Sequence, residues 1–363
     1  VAPPLLGMGA WQDWIYRALV FLVASCPCAL VISVPLGFYS GIGAASRRGV
    51  LIKGGRYIEA LANAKAAAFD KTGTLTTGRL TVTRIDRTPD FEEAAVLRLA
   101  ALAEQHSPHP AALAIREQAG ELSAAGEAAV SSLSELPGMG VSAVIDGKAV
   151  LCGGKRLMDA NHINVPWADA AVYLAVNGKP AAAFQMESEL HPDAAEALRR
   201  LHSLGIRKIA MLTGDRRTEA ERIAGKLEID EVRADLLPEG KLEALRALKQ
   251  ENGAALFVGD GINDAPVLAE ADAGIAMGLG SAAAIEAGDV VLTSGSLDKL
   301  PDAIRLSRRV MGVVRFNIAF ALTVKAAVLI LAAVGFAPMW AAVFADVGVS
   351  LLSVLNAARL FLQ

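Results

Sequence analysis

Cysteine is scarce in this 363-residue chain: there are three, and two of them flank a single proline. So few exclude a secreted scaffold held together by disulfides. A basic surplus is also lacking. Lys and Arg number 35 against 38 Asp and Glu, a net charge of −3, which leaves no electrostatic footprint for nucleic acid. No internal repeat or low-complexity tract stands out, although alanine is abundant. No basic segment precedes an apolar run at the amino end, so no signal peptide is expected and the chain reads as a fragment. What is present in excess is apolar character: 53% hydrophobic residues and a mean hydropathy of +0.41, high for a soluble protein. The length predicts two or three domains.

The apolar excess sits at the two ends. Residues 14–45 form a nearly charge-free run broken only by Arg17, and two more runs cover 316–335 and 339–362. About 20 apolar residues cross a bilayer core, so three transmembrane helices are expected. Helices on a soluble core alternate with polar positions, and these runs do not. Arg47, Arg48, Lys53 and Arg56 follow the first run, while Arg305, Arg308, Arg309 and Arg315 precede the second. The positive-inside rule puts both flanks in the cytoplasm and the connection at 335–338 on the other side. Residues 47–312 are then a cytoplasmic insertion.

That middle is soluble in character. Strand-like apolar runs end in Gly- and Asp-rich turns at 66–74, 206–215 and 254–264, each followed by helix-like sequence. This predicts a parallel α/β sheet with its site at the carboxyl ends of the strands. Residues 81–184 are too long for one crossover and contain short strand candidates, so an inserted α+β domain is expected there. The expected organisation is a membrane helix with a cytoplasmic extension at 1–60, an α/β domain at 61–80 and 185–305, the insertion at 81–184, and two membrane helices at 306–363.

The run AAAFDKTGTLT ends an apolar strand in Asp70, followed by Lys71, Thr72 and a glycine turn. A strand-end carboxylate facing backbone N–H groups is placed to attack phosphorus, although alone it would more often be a cap. MLTGD puts Thr213, Gly214 and Asp215 at the end of another strand, where a hydroxyl and amides can hold phosphate oxygens. FVGDGINDAPVL supplies Asp260 and Asp264, spaced to set carboxylates around a hard cation. Mg²⁺ prefers oxygen ligands plus a phosphate, which suits Asp70 and Asp260. Lys241, between these strands, can neutralise a phosphoryl group.

D-K-T-G-T, T-G-D and G-D-G-I-N-D, in this order, resemble the signatures of the P-type ATPases, built on the haloacid dehalogenase-like fold, a Rossmann-like α/β architecture. The resemblance covers essentially the whole chain. It implies that Asp70 is phosphorylated by ATP. It further implies that Lys71, Thr72, Thr213, Gly214, Asp215, Lys241 and Asn263 serve the phosphate, with Mg²⁺ at Asp70, Thr72, Asp260 and Asp264. The rival is a phosphatase of the same superfold, here membrane-anchored. Such phosphatases carry a second Asp two positions after the nucleophile as general acid/base, and Thr72 stands there instead. A threonine cannot take a proton from the attacking water, so an acyl phosphate should persist.

Within the insertion, AEQHSPHPAALAI holds Glu104, His109 and Pro110, and LPGMGV holds Gly138 and Gly140. Taken separately, a His before Pro is usually a helix cap and a lone G-x-G is weak. Heavy-metal P-type ATPases resemble this stretch, with a Glu five residues before His-Pro and G-x-G about thirty residues on. The resemblance implies adenine contacts from Glu104 and His109, and close backbone approach to ATP at Gly138 and Gly140. His191 and Pro192 read as a helix start, and Cys152 as packing.

Cys26, Pro27 and Cys28 lie inside the first apolar run, where proline removes a backbone hydrogen bond and opens the helix. Two thiolates beside freed carbonyls make a metal site. Cys26 lies 12 residues past Trp14, Lys325 lies 10 before Gly335, and Asp346 lies 8 after Pro338. At about 1.5 Å per residue all are roughly 12–18 Å deep, near the bilayer midplane. Ionisable groups at that depth are costly and functional by default. Two thiolates and a carboxylate carry −3; a divalent cation leaves −1, and Lys325 brings the sum to zero. Monovalent copper would leave a negative charge uncompensated and prefers softer ligands. The pattern resembles the zinc/cadmium/lead-exporting subgroup, which implies Zn²⁺, Cd²⁺ or Pb²⁺ as cargo; a copper pump is the alternative. That family also has an actuator domain with a T-G-E loop and earlier membrane helices. No T-G-E occurs in this sequence, so those parts of the protein are expected to lie outside it. An integral protein of the bacterial plasma membrane, with its large domains cytoplasmic, is expected.

Overall fold

The computed structural model describes residues 10–120, 130–168, 170–260, 264–278 and 282–361. Two compact units divide the chain: Val1–Leu75 with Pro192–Gln363, and Thr76–His191. The first begins with helices α1 (Trp11–Ser25) and α2 (Cys28–Arg47), interrupted at Cys26 and Pro27. A residue before proline is pushed out of the helical region, and Cys26 is extended, with ψ 124°. Then follow β1 (Val50–Ile52), α3 (Gly55–Asn63) and β2 (Ala66–Asp70).

The second unit contains β3 (Thr76–Arg87), α4 (Glu93–Ala103), α5 (Pro110–Ala119), β4 (Val130–Leu136), β5 (Gly140–Ile145), β6 (Lys148–Gly153), α6 (Lys155–Ala160), β7 (Val172–Val176) and β8 (Lys179–Leu190). Its six strands form an antiparallel sheet in the order β3-β8-β7-β6-β5-β4. The insertion expected at 81–184 is longer at both ends. Its first and last strands pair with each other, from Arg87 with Ala182 out to Thr76 with Leu190, so its edge falls at their tips.

The chain returns through α7 (Ala194–Ser203), β9 (Lys208–Leu212), α8 (Arg217–Leu227), β10 (Glu231–Arg233), α9 (Pro238–Asn252), β11 (Ala255–Gly259), α10 (Ala265–Glu270), β12 (Ala273–Met277), α11 (Ala282–Ala287) and β13 (Val290–Leu292). The sheet order is β1-β13-β12-β11-β2-β9-β10, parallel except for the antiparallel edge strand β1. β1 lies in what was expected to be a cytoplasmic extension of the first membrane helix, outside the α/β domain. Central β2 is buried along its whole length, AAAFD. Ala66 and Ala68 lie in one core cluster with Leu245 and Leu248 of α9, which small side chains let approach closely. The three expected strand-turn units are β2, β9 and β11.

The last elements are α12 (Lys299–Val334), α13 (Met339–Val343), a π-helical turn at Phe344–Gly348, and α14 (Val349–Ala358). Three stretches, Trp11–Arg47, Lys299–Val334 and Met339–Ala358, are long and apolar enough to cross a membrane. α12 starts 17 residues before the expected 316, and Leu300, Ile304 and Val310 on its early turns are buried. Arg308 ties this part to the soluble core, donating to the carbonyl of Ala62 at 3.2 Å and to that of Leu204.

Candidate functional site

The strand order β11-β2-β9 brings three carboxyl ends side by side. A cleft of about 300 Å³ there is lined by Asp70, Thr72, Thr213, Gly214, Asp215, Lys241, Asp260 and Asp264. Lys241 on α9 donates from Nζ to Asp70 Oδ1 at 2.6 Å and to Asp264 Oδ1 at 2.8 Å. The N–H of Thr72 donates to Asp70 Oδ2 at 3.0 Å, so both oxygens of the strand-end carboxylate are held. Gly73 has φ +72°, and a Cβ there would stand 2.9 Å from Asp260 Oδ2. Only glycine lets this turn and Asp260 approach so closely. Asn263 lies outside the described residues.

Burial, then the nearby charge of Asp264, pushes the pKa of Asp70 up to about 6 against the pull of Lys241. Lys71 faces other partners, pairing with Asp215 at 2.6 Å and Glu219 at 3.0 Å. Burial draws its pKa down, but hydrogen bonds and charge from that pair outweigh it, and the ammonium is held above its ordinary range. Burial likewise pushes Asp215 up, but Lys71 outweighs it and the carboxyl is held low. Thr213 Oγ1 donates to Asp215 Oδ2 at 3.0 Å. Among its described residues the cleft offers carboxylates and hydroxyls without sulfur or imidazole, a donor set that fits Mg²⁺.

In the Thr76–His191 unit, a second hollow of about 300 Å³ is lined by Glu104, Ser107, His109, Gly138, Met139 and Gly140, with others. Glu104 is buried, which raises its pKa against the pull of hydrogen bonds from Ser107 and Cys152. His109 is both a cap and a wall of the hollow: its Nδ1 accepts the N–H of Ala111 at 3.2 Å at the start of α5. The two glycines differ. Gly138, at φ +71°, would have open space around a Cβ, whereas a Cβ on Gly140 would collide with the backbone of Cys152 and Gly153. Pairing of β5 with β6 therefore itself requires Gly140. Cys152 is fully buried in the core of this unit.

In the membrane-length helices, Cys26, Cys28 and Asp346 offer ligand atoms all within 4.8 Å of one another. The two sulfurs are joined as a disulfide, and only the reduced pair could ligate a metal. Lys325 Nζ donates to Asp346 Oδ1 at 3.3 Å, to the carbonyl of Ala24 at 3.2 Å, and to that of Cys26. Carbonyls freed at the proline break thus face the ammonium instead of joining the cysteines, because a buried lysine needs several acceptors. Asp346 sits in the π-helical turn, a local widening often found at functional sites.

Residues 64–272 match the haloacid dehalogenase-like hydrolase family. At 30% identity and a TM-score of 0.58, 72% of the chain covers 97% of the catalytic domain of a CPx-ATPase. The chain belongs to the P-type ATPase branch of the haloacid dehalogenase-like hydrolases. Over 99% of its length it is 50% identical to the cadmium, zinc and cobalt-transporting ATPase of Bacillus subtilis (strain 168), covering 52% of that protein. It also matches the crystal structure of a zinc-transporting PIB-type ATPase in the E2.Pi state, with a TM-score of 0.89 and 39% identity, over 99% of this chain and 60% of that one. The chain spans about half the length of the curated relatives it matches.

Among the residues that form the two candidate sites, sequence reasoning missed Glu219, which pairs with Lys71, and Ser107, which lines the second hollow. Glu219 stands in the first turn of α8, four residues after Asp215. An acidic pair at that spacing beside a strand-end motif is a signal that could have found it. Ser107 has no comparable signal, since a serine two residues before His109 is ordinary loop chemistry.

Proposed function

We propose that this P-type ATPase chain carries the phosphorylation, nucleotide and ion sites of a pump driving Zn²⁺, Cd²⁺ or Pb²⁺ out through a bacterial plasma membrane. The observation that carries the reading is the pairing, in one chain, of a doubly held strand-end Asp70 followed by Thr72 with a Cys-Cys-Asp-Lys cluster in membrane-length helices. The cadmium, zinc and cobalt specificity in the name of the Bacillus subtilis relative supports the choice of a divalent cargo. The basic flanks support cytoplasmic placement of the soluble parts. The bilayer, the metal cargo, an actuator domain and further helices of the whole protein are the partners this reading requires.

Asp70 attacks the γ-phosphorus of ATP with one carboxylate oxygen, the bond from that phosphorus to the β,γ-bridging oxygen breaks, and ADP leaves with the bond's electron pair. Lys241 neutralises the nucleophile and the incoming phosphoryl oxygens, while Thr213 and the amides after Asp70 donate to those oxygens. Asp70, Thr72, Asp260 and Asp264 would hold Mg²⁺, which supplies charge screening between carboxylates and phosphate. Glu104 and His109 take the adenine, and Gly138 leaves room for it. Thr72 cannot deprotonate water, so the aspartyl phosphate outlives that of a phosphatase. In the membrane, reduced Cys26 and Cys28 with Asp346 ligate the cargo, and Lys325 balances the remaining charge.

The test is radiolabelled ATP with Mg²⁺ on the full-length pump. We expect a hydroxylamine-labile acyl phosphate that Asp70→Asn abolishes, and Zn²⁺-stimulated ATP hydrolysis that Asp346→Ala or Cys26→Ala abolishes with nucleotide binding intact. Stimulation by Cu(I) but not Zn²⁺ would refute the divalent assignment. Rapid turnover of simple phosphate monoesters would favour the phosphatase.

A further inference from the structure

Three fully buried hydroxyls in the membrane-length helices have no hydrogen-bond partner among the described residues: that of Ser307 on the early turns of α12, before its apolar run, and, within the apolar runs, those of Ser33 in α2 and Ser353 in α14. Helical serines ordinarily return the hydroxyl to a carbonyl one turn back, and an unpartnered one is destabilising. The packing of α2 on α12 fixes their level. A Cβ on Gly41 would meet Val310 and one on Gly37 would meet Val314, while the Cys26 carbonyl accepts from Lys325. Each step forward on α2 thus matches a step back on α12, which puts Ser33 at the height of Ile318, beside Asn317. Asn317 is buried; its Nδ2 donates to the Ser353 carbonyl at 2.9 Å, and its Oδ1 accepts from Asn356 Nδ2 at 2.7 Å.

Three helices therefore set Ser33, Asn317, Ser353 and Asn356 in one polar layer. The layer lies eight residues from Lys325 along α12 and seven from Asp346 along α14, about 10–12 Å at 1.5 Å per residue, toward the basic flanks. Between it and the cysteines is an apolar layer, in which fully buried Ala29, Ala321 and Val349 pack together.

We propose that the polar layer is a transit site where a partly hydrated divalent cation pauses before crossing the Ala29, Ala321 and Val349 layer to the thiolates. The proposal rests on Cys26, Cys28 and Asp346 being the cargo site. Hydroxyl oxygens and the second lone pair of Asn317 Oδ1 are neutral donors, so they replace part of a hydration shell yet hold the ion weakly. An ion pathway needs such stops, favourable enough to enter and weak enough to leave. Two thiolates and a carboxylate then bind more tightly, which gives the ion a direction toward them.

The experiment uses the chain reconstituted under reducing conditions in sealed liposomes with its soluble domains outward, and buffered Zn²⁺ added outside. Wild type should take up zinc at a site lost in Cys26→Ala. The Ser33→Ala/Ser353→Ala variant should keep equilibrium zinc affinity and show no fall in Tm, yet take up zinc about tenfold more slowly, the size of one lost polar contact to a charged group. Threonine at both positions, which keeps the hydroxyls, should restore the rate. Uptake by the double alanine variant at the wild-type rate would overturn the transit site. A fall in Tm together with lost equilibrium binding would also overturn it, by making the serines structural. If wild type binds no zinc, or Cys26→Ala binds it equally well, the cargo-site reading fails and the transit site with it.

Discussion

In the proposed mechanism Asp70 carries the chemistry, at a cost to the fold. Its pKa of about 6 exceeds its ordinary 3.8 because the ionised form is buried near Asp264. A carboxylate raised in the folded state favours folding below its unfolded pKa and loses that advantage as pH rises through the folded value. Asp70→Asn should therefore gain stability on wild type from about pH 4 to pH 7 and then level off, by on the order of 1–3 kcal/mol at neutral pH. Unfolding in chelator across that range checks this, and a pH-independent difference would sink it. Added Mg²⁺ should narrow the gap. Gly73→Ala should cost about 1–3 kcal/mol for its left-handed backbone and displace Asp260; loss of phosphorylation with folding retained is the outcome to measure. At this scale, motif residues were legible because strand ends and glycine turns constrain what stands there. The partners of Lys71 were not, because side-chain direction decides between Asp70 and the Asp215–Glu219 pair.

Elements were legible in proportion to their length and uniformity. The strands at β2, β9 and β11 announce themselves by apolar runs closed by Gly and Asp. Three-residue β1, β10 and β13 cannot display a two-residue period, so only tertiary pairing defines them. α12 was misjudged for the opposite reason: its early turns alternate charged and apolar residues, its later ones do not, and Gly312 between them does not stop the helix. The early turns are fastened by Arg308, whose guanidinium serves two carbonyls where α3 and α7 end. Arg308→Ala leaves both without that donor and should cost about 1–3 kcal/mol in thermal or denaturant unfolding. The contrast is Arg305→Ala, which removes only an exposed pair with Asp302 at 3.4 Å and should cost about 0–1 kcal/mol. Equal losses would show that Arg308 does not anchor the helix.

For the whole molecule, the question is what this chain can do by itself. In the proposed function ATP takes the hollow of the Thr76–His191 unit, and phosphate the cleft at Asp70. Removing the phosphoryl group again needs a base for water. Thr72 cannot serve, and Asp264 is held by Lys241 at 2.8 Å. Asp215 is committed to Lys71 at 2.6 Å. General-base assistance is typically worth about 10²–10⁴-fold, so without it the acyl phosphate should decay slowly instead of the cycle merely running a little slower. In the family this chain resembles, the T-G-E loop orients that water, and the sequence has no such tripeptide. The purified chain should therefore bind ATP and accumulate phosphoenzyme that survives a chase with unlabelled ATP, and Thr72→Asp should shorten its lifetime by supplying a carboxylate at the phosphatase position. Sustained Zn²⁺-dependent hydrolysis by this chain at the rate of the intact pump would mean that a base is already present in the cleft and that Thr72 is not what preserves the intermediate.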